Sequence, residues 1–316
     1  MTTRYRTVAA GAILVTLGVG TAGCGRYSIG SLKGQKAYKD ANELYKASDW
    51  KDAAAKYEYV LQQDASRKEV YFFLANSYDN AYKPSRAGEP ENDALISKAI
   101  ENYQKSAELD LNPDMKKLAM QYLVAAYGPD KLNDPTKAEP IVQEMIKLAP
   151  SDAGNYFALA KIYEDAGRYD EAEQALLKAL DANPNDVTVY VQMSGFYNRQ
   201  GDFEKTMESL HKAADIKPDD PQGHQLVATY YWEKAQKDHL LNNVKKKDYI
   251  LKGIEASDRA LELNPDYIEA LTYKNILLRM QGNIETDMAV RTRLYKEADD
   301  LRNKAMDLGK KKTSGT

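Results

Sequence analysis

The chain has 316 residues, of which 29% are charged, a net charge of only −3, 23 tyrosines against five phenylalanines, and a single cysteine. Lysine and arginine alternate with aspartate and glutamate along the whole length and form no basic stripe, which argues against nucleic acid as a partner and makes most charges a solvated helical surface. One cysteine excludes a disulfide framework and, with only three histidines, leaves little from which to build a metal cage.

Residues 1–23 read as a targeting segment. Arg4 and Arg6 open it, Val8 to Val19 is mostly apolar, and the small residues Thr21, Ala22 and Gly23 stand directly before Cys24. An apolar run of roughly a dozen residues is too short to cross a bilayer as a mature helix, which takes about 20. The segment resembles bacterial lipoprotein signal peptides, with Thr21 where leucine is usual. That resemblance implies cleavage before Cys24, acyl chains on its thiol, and, because Gly25 and not aspartate follows, an outer-membrane address. The other reading is an ordinary secretory signal in which Cys24 is one more small residue; its place at the end of the apolar run favours lipidation. Residues 24–33 then form a short linker whose extended reach is at most roughly 35 Å, so the domain is held close to the membrane.

From Gly34 onward, aromatic, small and apolar residues recur at fixed spacing. The first unit, Gly34 to Arg67, places Ala41, Leu44, Ser48, Trp50, Ala53, Tyr57 and Val60. The second begins near Lys68 with Tyr71, Leu74, Ala75 and Tyr78 and resumes at Ala99 and Tyr103, after 12 extra positions in which Pro84, Gly88 and Pro90 predict a loop over Lys83 to Asn92. The third, Lys117 to Pro150, uses Met120, Leu123, Val124, Tyr127, Ala138 and Met145. Ala153 to Asp220 then holds two copies 34 residues apart: Tyr156, Leu159, Ala160, Tyr163, Gly167, Tyr169, Ala172, Ala179 and Pro184, matched by Tyr190, Met193, Ser194, Tyr197, Gly201, Phe203, Thr206, Ala213 and Pro218. Apolar residues three and four apart, broken at Gly167 to Asp170, predict two amphipathic helices joined by a tight turn, and the prolines stop each second helix.

The sixth unit, from Pro221, carries His224, Val227, Ala228, Tyr231, Gly253, Ala260 and Pro265 with 13 extra positions; the seventh, from Ile268, carries Leu271, Leu278, Gly282, Ala298 and Ala305 with 11 extra, and has Lys274 and Asn275 where leucine and glycine are usual. About 11 residues make three whole helical turns and preserve the buried face, so these insertions predict longer helices, the last running from Thr286 to Leu308. Residues 309–316 read as a frayed basic tail.

The pattern resembles the tetratricopeptide repeat family, which has this period. The resemblance implies an all-α, right-handed superhelical solenoid of about seven helix-turn-helix repeats over residues 34–308, each hairpin burying its apolar face on the next. It also implies that the first helices line a concave groove and that the fifth, ninth and twelfth positions of each repeat face it. Those positions hold Tyr38, Asn42 and Tyr45; Phe72, Asn76 and Asp79; Phe157, Lys161 and Glu164; Val191 and Asn198; and Gln225, Thr229 and Trp232. Asn42 and Asn76, at one position in successive repeats, are placed to bond the backbone of an extended peptide, while Phe72, Phe157 and Trp232 take its side chains. Only Lys161 is placed to clamp a terminal carboxylate.

For chemistry the residues offer little. His211, His224 and His239 share no ligand spacing, and there is no phosphate loop, nucleophile elbow or cysteine pair. No cofactor or metal is expected, and the expected role is a non-catalytic scaffold in the bacterial envelope, resembling lipoproteins that serve outer-membrane, pilus or secretin, or cell-wall assembly. Two alternatives stand beside it: a periplasmic enzyme using paired groove carboxylates, and a self-associating protein that pairs copies through its C-terminal helix.

Overall fold

Helices of 12 to 14 residues are marginal alone in water, and this chain makes them stable by pairing. The structure, a computed structural model, describes residues 29–109 and 112–314; among these are fourteen α-helices and no strand. They form seven antiparallel hairpins in chain order: α1 (Ile29–Lys46) with α2 (Trp50–Gln63), α3 (Val70–Ala81) with α4 (Pro90–Glu108), α5 (Pro113–Tyr127) with α6 (Pro135–Leu148), α7 (Ala153–Asp165) with α8 (Tyr169–Ala182), α9 (Val187–Arg199) with α10 (Phe203–Ile216), α11 (Pro221–Lys237) with α12 (Asn243–Leu263), and α13 (Ile268–Ile284) with α14 (Met288–Ser314). Each helix packs mainly on its neighbours in sequence, as expected of a solenoid.

The junctions follow from short polar residues. Asp152, Asp186, Asp202 and Asp220 each accept a hydrogen bond from a backbone N–H of the helix they precede, at 2.8 to 3.0 Å. The turns inside the fourth and fifth hairpins need a left-handed residue, supplied by Gly167 (φ 72°) and Gly201 (φ 78°). Small residues let paired helices approach: Ala41, Ala53, Ala75, Ala99, Ala172, Thr206, Ala228 and Ala298 are all fully buried. Tyr57, Val60, Tyr103, Val142, Val189 and Ile250 fill the space between them and are equally inaccessible.

Four expectations change. The stretch Ile29 to Lys33, read as linker, is already the first turn of α1. The loop expected over Lys83 to Asn92 is shorter: Pro90 opens α4, and Asn92 is a buried helical residue whose amide accepts from Lys83 N–H at 2.9 Å and donates to the carbonyls of Lys83 and Arg86 at 3.0 Å. Part of that insertion therefore lengthens α4 to 19 residues. The tail expected to fray after Leu308 continues as helix through Ser314. In the last two hairpins the insertions lengthen both partners, giving α11 and α13 17 residues each, α12 21 and α14 27. Cys24 and the whole of residues 1–28 lie outside the described residues.

Candidate functional site: the row of first helices

Successive first helices adjoin along the molecule. Tyr45 of α1 meets Phe73 of α3 edge-on at 5.6 Å, Phe72 of α3 meets Tyr122 of α5 at 5.5 Å, and Trp232 of α11 meets Tyr273 of α13 at 5.4 Å. Between α7 and α9, Arg199 grips the Glu164 carboxylate with Nε and a terminal nitrogen, at 2.6 and 2.9 Å.

At the N-terminal end the proposed contact residues are occupied by one another. Tyr57 donates to Asn42 Oδ1 at 2.7 Å and Tyr45 donates to Asn76 Oδ1 at 2.6 Å; Asn76 Nδ2 donates to Tyr103 Oη at 3.1 Å, and Asn80 adds a further donor to Asn76 Oδ1 at 2.9 Å. Tyr103 reaches on to Asp79 at 3.3 Å, and Lys131, from the turn between α5 and α6, pairs with the same carboxylate. Asn76 is 4% exposed, with Oδ1 accepting twice and Nδ2 donating once, so the expected asparagine ladder for a peptide backbone is corrected: tyrosine hydroxyls take the amides. Phe72 is likewise a core residue, packed among Phe73, Tyr103 and Tyr122. Tyr38 lies half-buried under the Arg67 guanidinium, 5.2 Å from the ring centroid. Burial pushes the Tyr45 phenol up to about 12 and raises Tyr38, Tyr57 and Tyr103 as well, so all four remain neutral hydrogen-bonding groups at neutral pH.

At the C-terminal end Gln225 is buried and donates to Thr229 Oγ1 at 2.7 Å. Trp232 is half-buried against Tyr273, and its indole N–H is enclosed without an acceptor.

The middle is different. Phe157 is half-buried, Lys161 is exposed with its ammonium on Asp165, and Asn198 is half-buried with no side-chain partner among the described residues. A crevice walled by Lys161 separates α5 from α7. One cavity of about 260 Å³ lies among Lys117, Gln121, Met145, Asp152 and Asn155, and a second of about 240 Å³ among Tyr127, Pro129, Pro135, Ala138, Lys161 and Ile162; Val124 and Ala158 wall both. Lys117 donates to Asp152 at 2.7 Å and holds that carboxyl below the ordinary aspartate range. The crevice was not anticipated from sequence. Its one signal is Val124, a branched side chain where the first, second, fourth and sixth repeats have alanine.

Among the described residues no group of acids, histidines or cysteine is arranged to hold a metal, and no helix is long and apolar enough to cross a membrane. The groove carboxylates are paired: Asp79 with Lys131, Glu164 with Arg199.

Residues 131–191 and 165–230 match the tetratricopeptide repeat model. Among curated proteins there is no match to the chain. Among solved structures, the C-terminal part of a TPR repeat-containing protein from Cytophaga hutchinsonii is similar over 86% of this chain and 98% of its own, at 16% identity and a TM-score of 0.53. A tetratricopeptide repeat protein from Parabacteroides merdae is similar over 84% and 99%, at 10% identity and a TM-score of 0.46. YrrB, a TPR protein with an unusual peptide-binding site, is similar over 60% and 93%, at 19% identity and a TM-score of 0.40. The fold of this chain is that of a tetratricopeptide repeat solenoid, and its central hairpins carry the repeat's sequence.

Proposed function

We propose that this protein is a non-catalytic scaffold of the bacterial cell envelope, tethered through an acylated Cys24, that holds a partner protein or extended peptide against its middle first helices. The observation that carries the proposal is the contrast along one row. Residues at equivalent positions are saturated by tyrosines at the N-terminal end and packed away at the C-terminal end, whereas Phe157, Lys161 and Asn198 remain accessible, Lys161 at the wall of a crevice with an apolar half. A peptide side chain seated there buries its surface without displacing core contacts, at roughly 25 cal/mol per Å² of apolar area.

A glycan-hydrolase reading needs a carboxylic acid of raised pKa. Every carboxylate with a displaced pKa among the described residues moves downward, held there by lysine, arginine, hydroxyl or backbone donors. That supports the binding reading over the enzymatic one.

The test is photo-crosslinking in living cells from Phe157 and from Asn198, with Tyr59, exposed on the second helix α2, as the control site. The expected result is one protein captured from both middle positions, absent from the Tyr59 control and reduced by Lys161→Glu. Failure to capture a reproducible partner from either site overturns the groove assignment. Metabolic labelling with an acyl-chain probe tests the anchor separately: wild type takes up label and Cys24→Ser does not, and label retained in the variant refutes lipidation at this residue.

A further inference from the structure

The three most exposed large apolar side chains among the described residues are Leu240 at 96%, Val244 at 79% and Met288 at 68%. All three occupy the turns of the two lengthened hairpins: Leu240 lies between α11 and α12, Val244 in the first turn of α12, and Met288 at the first position of α14. The two turns are neighbours, since Lys247 approaches Glu285 at 3.8 Å. Helices α11 and α12 exceed the corresponding α9 and α10, of 13 and 14 residues, by four and seven. At ~1.5 Å per residue the sixth turn therefore stands roughly 6–10 Å beyond the fifth.

The charges at these turns are unequally committed. Asp238 accepts from Lys234 at 2.9 Å and from Leu240 N–H at 3.0 Å, Asp248 pairs with Lys252 at 2.9 Å, and Glu233 pairs with Lys237. Glu285 and Asp287 spend their oxygens on the backbone N–H groups that open α14. Lys245, Lys246 and Arg293 have no ion-pair partner among the described residues. The outward field of the turns is therefore set by cations that stand beside exposed aliphatic side chains.

We propose that these paired turns dock on an anionic lipid bilayer, with Leu240, Val244 and Met288 entering the interface while Lys245, Lys246 and Arg293 meet lipid phosphates. A bilayer suits this surface better than a folded partner. Separate aliphatic side chains projecting from convex turns require a fitted pocket for each in a rigid protein, whereas a fluid interface accommodates them without one. Each lysine near an anionic surface adds about fivefold in partition, so Lys245 and Lys246 together contribute roughly 30-fold. The inference is independent of acylation at Cys24; a tethered chain would gain from both contacts through effective concentration.

The experiment uses the full-length chain with Cys24→Ser and Met288→Cys, leaving one thiol for an environment-sensitive fluorophore. An N-terminal hexahistidine tag holds it on vesicles through nickel-chelating lipid, so the result does not depend on biological lipidation. Vesicles containing phosphatidylglycerol are expected to shift the emission to the blue, and vesicles otherwise of phosphatidylcholine alone to leave it near the solution value. A probe at Leu148→Cys, exposed at the end of α6, stays unchanged. Replacing Lys245 and Lys246 by glutamine lowers the inserted-to-free ratio by roughly 30-fold. An unchanged spectrum on anionic vesicles, or an equal shift on both compositions, overturns the proposal. So does a shift that appears without lipid as protein concentration rises, which assigns the turns to a second copy, or one that appears only when an envelope protein fraction is added.

Discussion

Ser48 holds the turn position that glycine holds in the fourth and fifth repeats, and it does so at φ 61°, in the left-handed region that costs a residue with a Cβ about 1–2 kcal/mol. Ser48→Gly relieves that strain and returns part of the gain as unfolded-chain entropy, so the expected result is a stabilisation of about 0.5–1 kcal/mol in chemical denaturation. The reverse change, Gly167→Ala, adds a Cβ that meets nothing within 4 Å, so its expected cost of about 1 kcal/mol is purely backbone strain. Asn76 gives a sharper contrast with Asn198. Asn76→Ala removes the acceptor of the Tyr45 hydroxyl and one donor to Tyr103 and is expected to cost about 2–4 kcal/mol, whereas Asn198→Ala stays within about 0.5 kcal/mol of wild type and weakens partner capture. Asn76 holds the ninth position of its repeat and Asn198 the twelfth, and the resemblance gives both positions the same groove-facing role. The distinguishing signal was the composition: with 23 tyrosines and five phenylalanines, the interior carries hydroxyls that must find acceptors, and for Tyr45 and Tyr57 these are the amides of Asn76 and Asn42 on the first helices.

At the scale of the helix, the repeat period placed the elements well because each hairpin is a local object, set by its own turn, caps and apolar stripe. The lengths of the irregular repeats were less legible. In the second repeat Pro84, Gly88 and Pro90 read as loop throughout, yet proline is at home in the first turn of a helix, and Pro90 begins α4 there. In the seventh repeat Lys274 and Asn275 replace the usual leucine and glycine, and the register holds because the replacements form their own contacts. Lys274 bridges Asp258 of α12 and Glu297 of α14 at 2.8 Å each, and Asn275 accepts from Arg279, which also reaches Asp299 at 2.6 Å. Lys274→Met removes one cation shared by two carboxylates. Because both acids are nearly half exposed, the expected loss is only about 1 kcal/mol, seen as earlier hydrogen exchange in α13 and α14 than in α7 and α8.

For the whole molecule, pH acts on the joints between hairpins, and the two ends of the scale act at different places. On the acid side, Asp152 is held low chiefly by Lys117, joining the third and fourth hairpins, and Glu173 chiefly by Lys205 and then by the Tyr197 hydroxyl, joining the fourth and fifth. Carboxyls with depressed folded values contribute fully above their unfolded range near 4 and lose the contribution as pH falls through it, so central stability should be flat down to about pH 5 and decline below 4. On the alkaline side the sign is opposite: a phenol raised by burial stays protonated in the fold while the unfolded chain ionises near 10, so stability is intact below about pH 10 and falls above it. Tyr45 and Tyr78 are both pushed up to about 12, foremost by burial, and Tyr57 and Tyr103 are raised further. All four lie in the first two hairpins, inside the same hydrogen-bonded cluster or beside it. Repeat arrays can open from one end, because each unit is stabilised only by its neighbours. The helices α7 to α10 hold two raised phenols, Tyr163 and Tyr197, against the four at the N-terminal end, so between roughly pH 10 and 11 the first two hairpins should lose amide protection before them, with tyrosinate absorbance rising in step. Uniform loss of protection along all seven hairpins would show instead that the tyrosine cluster carries no special share of N-terminal stability.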